Sequence, residues 1–245
     1  MRVAALYDVH GNLPALEAVL REDELARADV VVVGGDVVSG PMPLETLTLL
    51  QSLPQRVEFI RGNADRVLDF PGGLTPADDV WVRSRRWVAD RLGDGRLDFL
   101  QALPLDLTLE VDGLGAVRFC HGAPGSDEAV ITRGTPVRRL RRLIRGVEER
   151  VLVCGHTHIQ FDRSIDGTRV VNAGSVGVPN EAQPGAYWLT VGPEIAFRRT
   201  AYDVAEAAER ILATGYPNAE WFAAQIALSD PAQPERMTAI LEQSE

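Results

Sequence analysis

Four consecutive valines, Val30 to Val33, stop abruptly at Gly34-Gly35-Asp36. A strand with one wet face alternates apolar and polar residues, so an unbroken β-branched run predicts a strand buried on both faces, as in α/β folds. The pattern recurs along the chain. Arg2 to Tyr7 runs into Asp8-Val9-His10-Gly11-Asn12, Val57 to Ile60 into Arg61-Gly62-Asn63, Val117 to Cys120 into His121-Gly122, and Val151 to Cys154 into Gly155-His156-Thr157-His158. Five short strands therefore end on polar, glycine-flanked residues. In open α/β sheets the crevice beyond the carboxyl ends of the strands is where ligands bind, so these five ends are expected to converge.

The rest of the chain fits around that series. Pro14 to Arg27 has the helical spacing of Leu16, Val19 and Leu20. Between Asn63 and His121 a mostly helical segment is expected, with an insertion at about 74–103 and with Trp81, Trp87, Leu92, Phe99 and Leu100 as packing residues. After His158 the signals turn to hairpins: Gln160 to Ile165, the turn pair Asp166-Gly167, then Thr168 to Asn172, and later Ala186 to Val191 turning through Gly192-Pro193 into Glu194 to Arg199. A helical tail over about 203–245 is interrupted at Tyr216-Pro217 and Ser229-Asp230-Pro231. No repeat or linker divides the 245 residues, which predicts one domain. The amino-terminal sequence has no leader pattern and no run has membrane-spanning length, so a cytoplasmic location is expected.

The candidate chemistry concentrates in the strand ends. The four histidines are His10, His121, His156 and His158, and each one falls there, as do Asp8, Asp36 and Asn63. A single histidine is usually structural, but this joint placement points to metal. Carboxylate, imidazole and amide oxygen together suit manganese, iron or zinc better than the all-oxygen cages of calcium, and the set lacks the thiolates of a structural zinc site. The two cysteines, Cys120 and Cys154, read as small buried thiols at strand ends. A net charge of −10 argues against a general nucleic-acid binder. Arg133, Arg138, Arg139, Arg141, Arg142 and Arg145 form a local exception on a segment read mostly as helix, either a solvated face or a positive rim.

The blocks DVHGN, GGDVVSG, RGNAD, CHGAP and CGHTH, from Asp8 to His158, and the later NAGSVG at Asn172 to Gly177, resemble the calcineurin-like metallophosphoesterase superfamily, in particular its small bacterial and archaeal phosphodiesterase-like branch. The resemblance implies a four-layer αββα sandwich of two mixed sheets flanked by helices, with two divalent ions at one end. It implies that Asp8, His10 and His158 hold one ion, that Asn63, His121 and His156 hold the other, and that Asp36 bridges them. Manganese is the first expectation, with iron, zinc, nickel or magnesium as alternatives. Two such ions can share a water and present hydroxide for in-line attack on phosphorus. Asn63 and His121 are the expected catalytic residues, and Arg61 and Asn12 the expected substrate contacts.

The sequence departs from the pattern of many larger members at Gly62-Asn63-Ala64-Asp65, where they carry a histidine that binds phosphate and protonates the leaving group. Ala64 can do neither, which favours phosphodiester or phosphoanhydride bonds of small phosphorylated or nucleotide substrates. Asp65 is expected to support the ligands from behind or to be purely structural, and Tyr7, where a small residue is common, to crowd or reorient the residues behind the ligands. Two other functions compete: a non-catalytic protein scaffold on the same fold, and a nuclease.

Overall fold

The computed structural model describes residues 1–66 and 79–243. The first half of the chain runs β1 (Val3–Leu6), α1 (Leu13–Val19), α2 (Asp23–Ala26), β2 (Val30–Val33), α3 (Pro43–Gln51) and β3 (Arg56–Phe59), followed by a short 3-10 turn at Asn63–Asp65. Next come α4 (Val80–Leu92), α5 (Asp94–Gln101), β4 (Asp106–Val111), β5 (Gly115–Cys120), α6 (Val137–Leu143) and β6 (Val151–Cys154). The chain then forms β7 (Phe161–Ile165), β8 (Thr168–Asn172), β9 (Ala186–Val191), β10 (Ile195–Thr200), α7 (Val204–Leu212), α8 (Ala219–Ile226) and α9 (Gln233–Gln243).

Two mixed five-stranded sheets result, in the orders β10-β9-β1-β2-β3 and β4-β5-β6-β8-β7. In the first, β1, β2 and β3 are parallel, and β9 and β10 add antiparallel at one edge. In the second, β5, β6 and β8 are parallel, with β4 and β7 antiparallel at the two edges. The parallel strands of each sheet deliver their carboxyl ends, and the loops that follow, to one rim.

The valine run behaves as its composition requires. Val30 and Val32 join Val3, Ala5, Val117, Phe119, Val151 and Val153 in the layer between the sheets. Val31 and Val33 face the other way, into a cluster with Leu16 and Val19 of α1, Leu47 and Leu50 of α3, and Val88 and Leu92 of α4. Leu152 and Cys154 of β6 turn outward to Leu140 of α6 and nearby Ile144. Three apolar layers thus alternate with two sheets and two helical coats, the expected four-layer arrangement. Both cysteines are fully buried free thiols, and burial pushes the Cys154 thiol up to about 12.

Several local expectations need correction. Asp106–Val111 is a strand, although the stretch before His121 reads as mostly helical; its alternation buries Leu109 and Val111 and leaves Thr108 and Glu110 out, and the chain turns at Asp112–Leu114 into β5. The helix read over Pro14 to Arg27 breaks into α1 and α2. The arginine-rich helix is shorter than its segment, because Pro136 precedes its first turn and Gly146 follows it at φ 85°. The part of the 74–103 insertion before Asp79 lies outside the described residues; the remainder forms α4 and α5.

The C-terminal helices have defined seats. Ala207 and Ile211 of α7 and Phe222 and Ile226 of α8 enter the apolar layer that coats the first sheet. Glu242 of α9 accepts from the Thr132 and Thr135 hydroxyls at 2.6 Å, beside the second sheet. Among the described residues no helix is long and apolar enough to cross a membrane.

Phe119 fills the layer between the sheets with no exposure. Phe119→Ala is expected to lower the unfolding free energy by about 3–5 kcal/mol through lost burial and a residual cavity. Urea titration checks this, with an unchanged slope and a shifted midpoint as the expected result.

Candidate metal centre

The loops after β1, β2, β5 and β6 and the turn after β3 meet at the shared rim. Asp8, His10, Asp36, His156 and His158 all adopt left-handed backbone, with φ of 53°, 49°, 53°, 67° and 60°. Among the described residues the one other non-glycine with positive φ is Asp166, in the β7–β8 turn. Such conformations are disfavoured for residues with a Cβ, and they persist where the surroundings over-determine them. Here those surroundings are visible. The loops after β1 and β2 run side by side, with the Asp8, His10 and Gly11 N–H groups donating to the Gly35, Asp36 and Val37 carbonyls.

The donor atoms converge. The Oδ1 of Asp8 is 3.3 Å from His158 Nε2, and the His10 and His158 Nε2 atoms are 3.2 Å apart. Asp36 Oδ2 lies 3.6 Å from His10 Nε2 and 3.5 Å from His121 Nε2, and Asn63 Oδ1 is 3.2 Å from His121 Nε2. Two groups able to hold an ion emerge, Asp8 with His10, Asp36 and His158, and Asp36 with His121 and His156. Asp36 belongs to both.

Three histidines are aimed from behind. Their Nδ1 atoms lie against backbone carbonyls: His10 against Ser39 at 3.2 Å, His121 against Gly34 at 2.8 Å and His158 against Val178 at 2.6 Å. Donation from Nδ1 fixes the tautomer and leaves Nε2 as a lone-pair donor facing the centre. Asp8 Oδ2 accepts from the His156 N–H, whereas Asp8 Oδ1 is buried with no hydrogen-bond partner. An orphaned carboxylate oxygen among imidazole nitrogens is a site that a cation satisfies, so the residues present fit divalent metal.

Electrostatics tells the same story. Burial alone pushes the Asp8 and Asp36 carboxyls up, but the histidines overrule it: His158 and then His121 draw Asp8 below its usual value, and His121 draws Asp36 well below. Burial likewise opposes charge on His121, yet Asp36 above all holds it up at about 10, and Asp8 does the same, less strongly, for His158. His10 and His156 are pushed down, burial being the main cause. Without metal, the cluster borrows positive charge from its own imidazoles.

Three further elements brace the centre. Asp65 accepts from the backbone N–H groups of Asp36, Val37 and Gly62 at 2.8–2.9 Å, tying the β2 loop to the β3 turn. Burial and the Asp36 charge push it up to about 7, against the Gly62 and Val37 N–H groups and His121. The Asn172–Gly177 block supplies no donor to the cluster but fastens its loops: Asn172 Nδ2 donates to the Gly155 carbonyl, Ser175 Oγ to the Asp8 carbonyl, and the Val176 and Gly177 N–H groups to Tyr7 and Asp8. Tyr7 packs behind the donor loops. Its ring occupies the space where side chains on Gly34 and Gly155 would stand, with would-be Cβ atoms 2.0 and 2.3 Å from ring carbons, and its hydroxyl donates to the Val153 carbonyl.

A calcineurin-like phosphoesterase superfamily domain matches residues 1–192. The chain belongs to that superfamily. A hypothetical protein from Pyrococcus horikoshii has the same fold, with a TM-score of 0.79 and 22% identity over 94% of this chain and 99% of that one. A metallophosphoesterase from Sphaerobacter thermophilus superposes with a TM-score of 0.72 and 25% identity, covering 92% and 98% of the two chains. An uncharacterised protein of Methanocaldococcus jannaschii is 24% identical over 92% of this chain and 97% of its own length.

In this phosphoesterase fold the seven expected ligand positions lie together, but the two expected substrate contacts do not border the cavity above them. Asn12 is fully buried, its Oδ1 capping α1 at the Ala15 N–H and its Nδ2 donating to the Gly177 carbonyl. Arg61 Nε donates to Asp127 and its NH1 to the Gln101 carbonyl. The cavity, about 360 Å³, is bordered instead by Trp81, Ser84 and Arg85 of α4, by Tyr216, and by Trp221 and Phe222 of α8. Trp81, expected in the core, is 51% exposed. Ser84 and Arg85 share its face, but so do the buried Val88 and Leu92 further along α4, so only the docking of the helix sets its first turns against the cavity. The arginine-rich segment stands apart, with Arg133 paired to Glu235 and Arg141 to Asp166, which favours the solvated-face reading.

Two outcomes follow from this geometry. Asp65→Asn replaces one of the accepting oxygens by a donor, and is expected to weaken divalent-metal affinity about 10–100-fold while the protein stays folded, as read by calorimetric metal titration. In the metal-free protein, the raised values of His121 and His158 contribute stability that is fully present below about pH 6.5 and is lost as pH rises, for His121 through about 10. The buried cysteines act in the same direction, since unfolded thiols ionise above about pH 8.5 while the folded ones stay neutral. The melting temperature in chelator should therefore fall from about pH 7 to about pH 10; a flat profile contradicts the assignment.

Proposed function

We propose that the protein is a dinuclear-metal-dependent phosphohydrolase that cleaves phosphodiester or phosphoanhydride bonds of small phosphorylated or nucleotide molecules. The observation that carries this reading is the sharing of Asp36 between two overlapping donor groups at the base of an open cavity. In it, Asp8, His10 and His158 hold one ion, Asn63, His121 and His156 the other, and Asp36 both, with manganese ahead of iron, zinc, nickel or magnesium. When bound, such a pair supplies Lewis-acid stabilisation of the phosphoryl group and an activated water. Residues 1–245 act as one unit in the cytoplasm.

The side chains add what the ions do not. His10, His121 and His158, with Nδ1 committed to carbonyls, act as fixed donors rather than proton carriers. Asn63 turns Oδ1 toward His121, which leaves its amide N–H groups to donate to a phosphoryl oxygen. Ala64 presents a methyl group to the cavity, and its N–H donates to Asp36 Oδ1. With no imidazole there to protonate a departing alkoxide, good leaving groups such as phosphate or aryl oxide are favoured. A protein-binding scaffold on this fold would have no use for the orphaned Asp8 oxygen.

Asp36→Ala and His121→Ala are expected to lower turnover about a thousandfold or more, several kcal/mol of transition-state stabilisation, with the fold retained by circular dichroism. With manganese, an aryl phosphodiester should turn over faster than an alkyl phosphomonoester; clearly faster cleavage of the alkyl monoester defeats the leaving-group argument.

A further inference from the structure

The mouth of the cavity is aromatic, and the phosphate chemistry at its base does not require that. Trp81 and Trp221 stand edge to face with ring centroids 5.1 Å apart and an interplanar angle of 76°. They are 51% and 40% exposed, whereas Trp188, in the core, is 1% exposed. Exposed indoles rimming a pocket with a few convergent polar groups at its base are a recognised sign of a ligand surface, because leaving so much apolar area in water is unfavourable unless something covers it.

The pair is held in place. Asp79 caps α4 by accepting from the Trp81 and Val82 N–H groups, which fixes Trp81 in the first turn. Trp221 is anchored by Phe222, 2% exposed, whose ring lies 6.4 Å from that of Trp221 and also 6.4 Å from that of Tyr216. Tyr216 in turn packs 5.3 Å from Trp87 on α4, which closes an aromatic circuit between α4 and α8. Three of the four tryptophans of the chain belong to this circuit. Rigid aromatic surfaces bind planar groups at low entropic cost.

Trp81 and Trp221 border the same cavity as His10, Asp36, Asn63 and His156, and Arg85, one turn after Trp81, brings a positive charge to its wall. We infer that the cavity takes a nucleoside phosphate, with the phosphorus over the His/Asp cluster, the base stacked on the Trp81–Trp221 pair, and Arg85 facing a non-reacting phosphate or ribose oxygen. The inference rests on the hydrolase reading for the position of the phosphate. A volume of about 360 Å³ lies within the range of small-ligand sites, about 300–1,000 Å³. Stacking tolerates any base, so the platform selects nucleotides as a class. Trp221 also lies beyond residues 1–192, so half of the platform comes from outside the matched superfamily domain.

The test compares two ligands that differ only in the base. Manganese-loaded protein is titrated with adenosine 5′-monophosphate and with ribose 5-phosphate, followed by calorimetry and by tryptophan fluorescence. The nucleotide should bind about tenfold or more tightly and quench the fluorescence. In Trp81→Ala and Trp221→Ala the nucleotide affinity should fall toward that of the sugar phosphate, and Trp81→Phe should restore part of the difference; thermal melts confirm that each variant is folded. Equal affinity of the two ligands in the wild type, or a preference that survives both alanine variants, overturns the inference. Turnover of an aryl phosphodiester without base preference removes the platform alone. Base preference with no turnover of any phosphoester removes the hydrolase reading and leaves the platform standing.

Discussion

Two buried carboxylates of like charge, Asp8 and Asp36, share one rim of the sandwich, and neither can be there unaccompanied. Charges removed from water repel strongly and lose their hydration, so such a pair exists only beside compensating positive charge or in a neutralised form. Around it stand four imidazoles, with His121 and His158 drawn toward their charged form and Asp36 held well below its ordinary value. Divalent ions would supply the same compensation without protons. The remainder of the rim serves to hold donors in that geometry.

Holding them requires backbone that the chain would not otherwise choose. Five residues of the candidate centre sit in left-handed conformation, a cost of about 1–3 kcal/mol each. That cost is offset collectively: the Asp8 and Asp36 loops hydrogen-bond to one another, Asp65 gathers three N–H groups, and Asn172 and Ser175 pin the Gly155 and Asp8 carbonyls. Beneath them the close-packed layer between the sheets gives every loop a rigid base. The same logic explains Tyr7, whose bulk is accommodated by two glycines beside it rather than by displacement of a ligand.

The C-terminal helices shape the mouth of the cavity. α8 reaches the cavity through Phe222, which also approaches Gly40 in the loop that follows Asp36. The wall opposite the metal donors is therefore built from α4 and α8, two elements distant in sequence and joined by aromatic contacts.

Much of this was legible in the chain itself. Val30–Val33 and Val151–Cys154 coincide with observed strands because a run too apolar for water has one stable environment, and Thr168–Asn172 does so because the Asp166-Gly167 pair turns the chain into a hairpin. The placement of all four histidines at strand ends foretold that they would meet, since parallel strands send their carboxyl ends to one rim. Other features were hidden: Asp106–Val111 forms an edge strand whose half-polar alternation resembles many surface segments, and Trp81 looks like core until its helix is docked. Arg61 and Asn12 adjoin the ligands in sequence but are turned elsewhere by Asp127 and by the first turn of α1. Sequence determined which donor residues would meet at the rim, because donor chemistry and strand ends are local properties. Tertiary structure alone decided what surrounds it, because the cavity wall comes from helices far apart in the chain, and only packing fixes which of their faces meet.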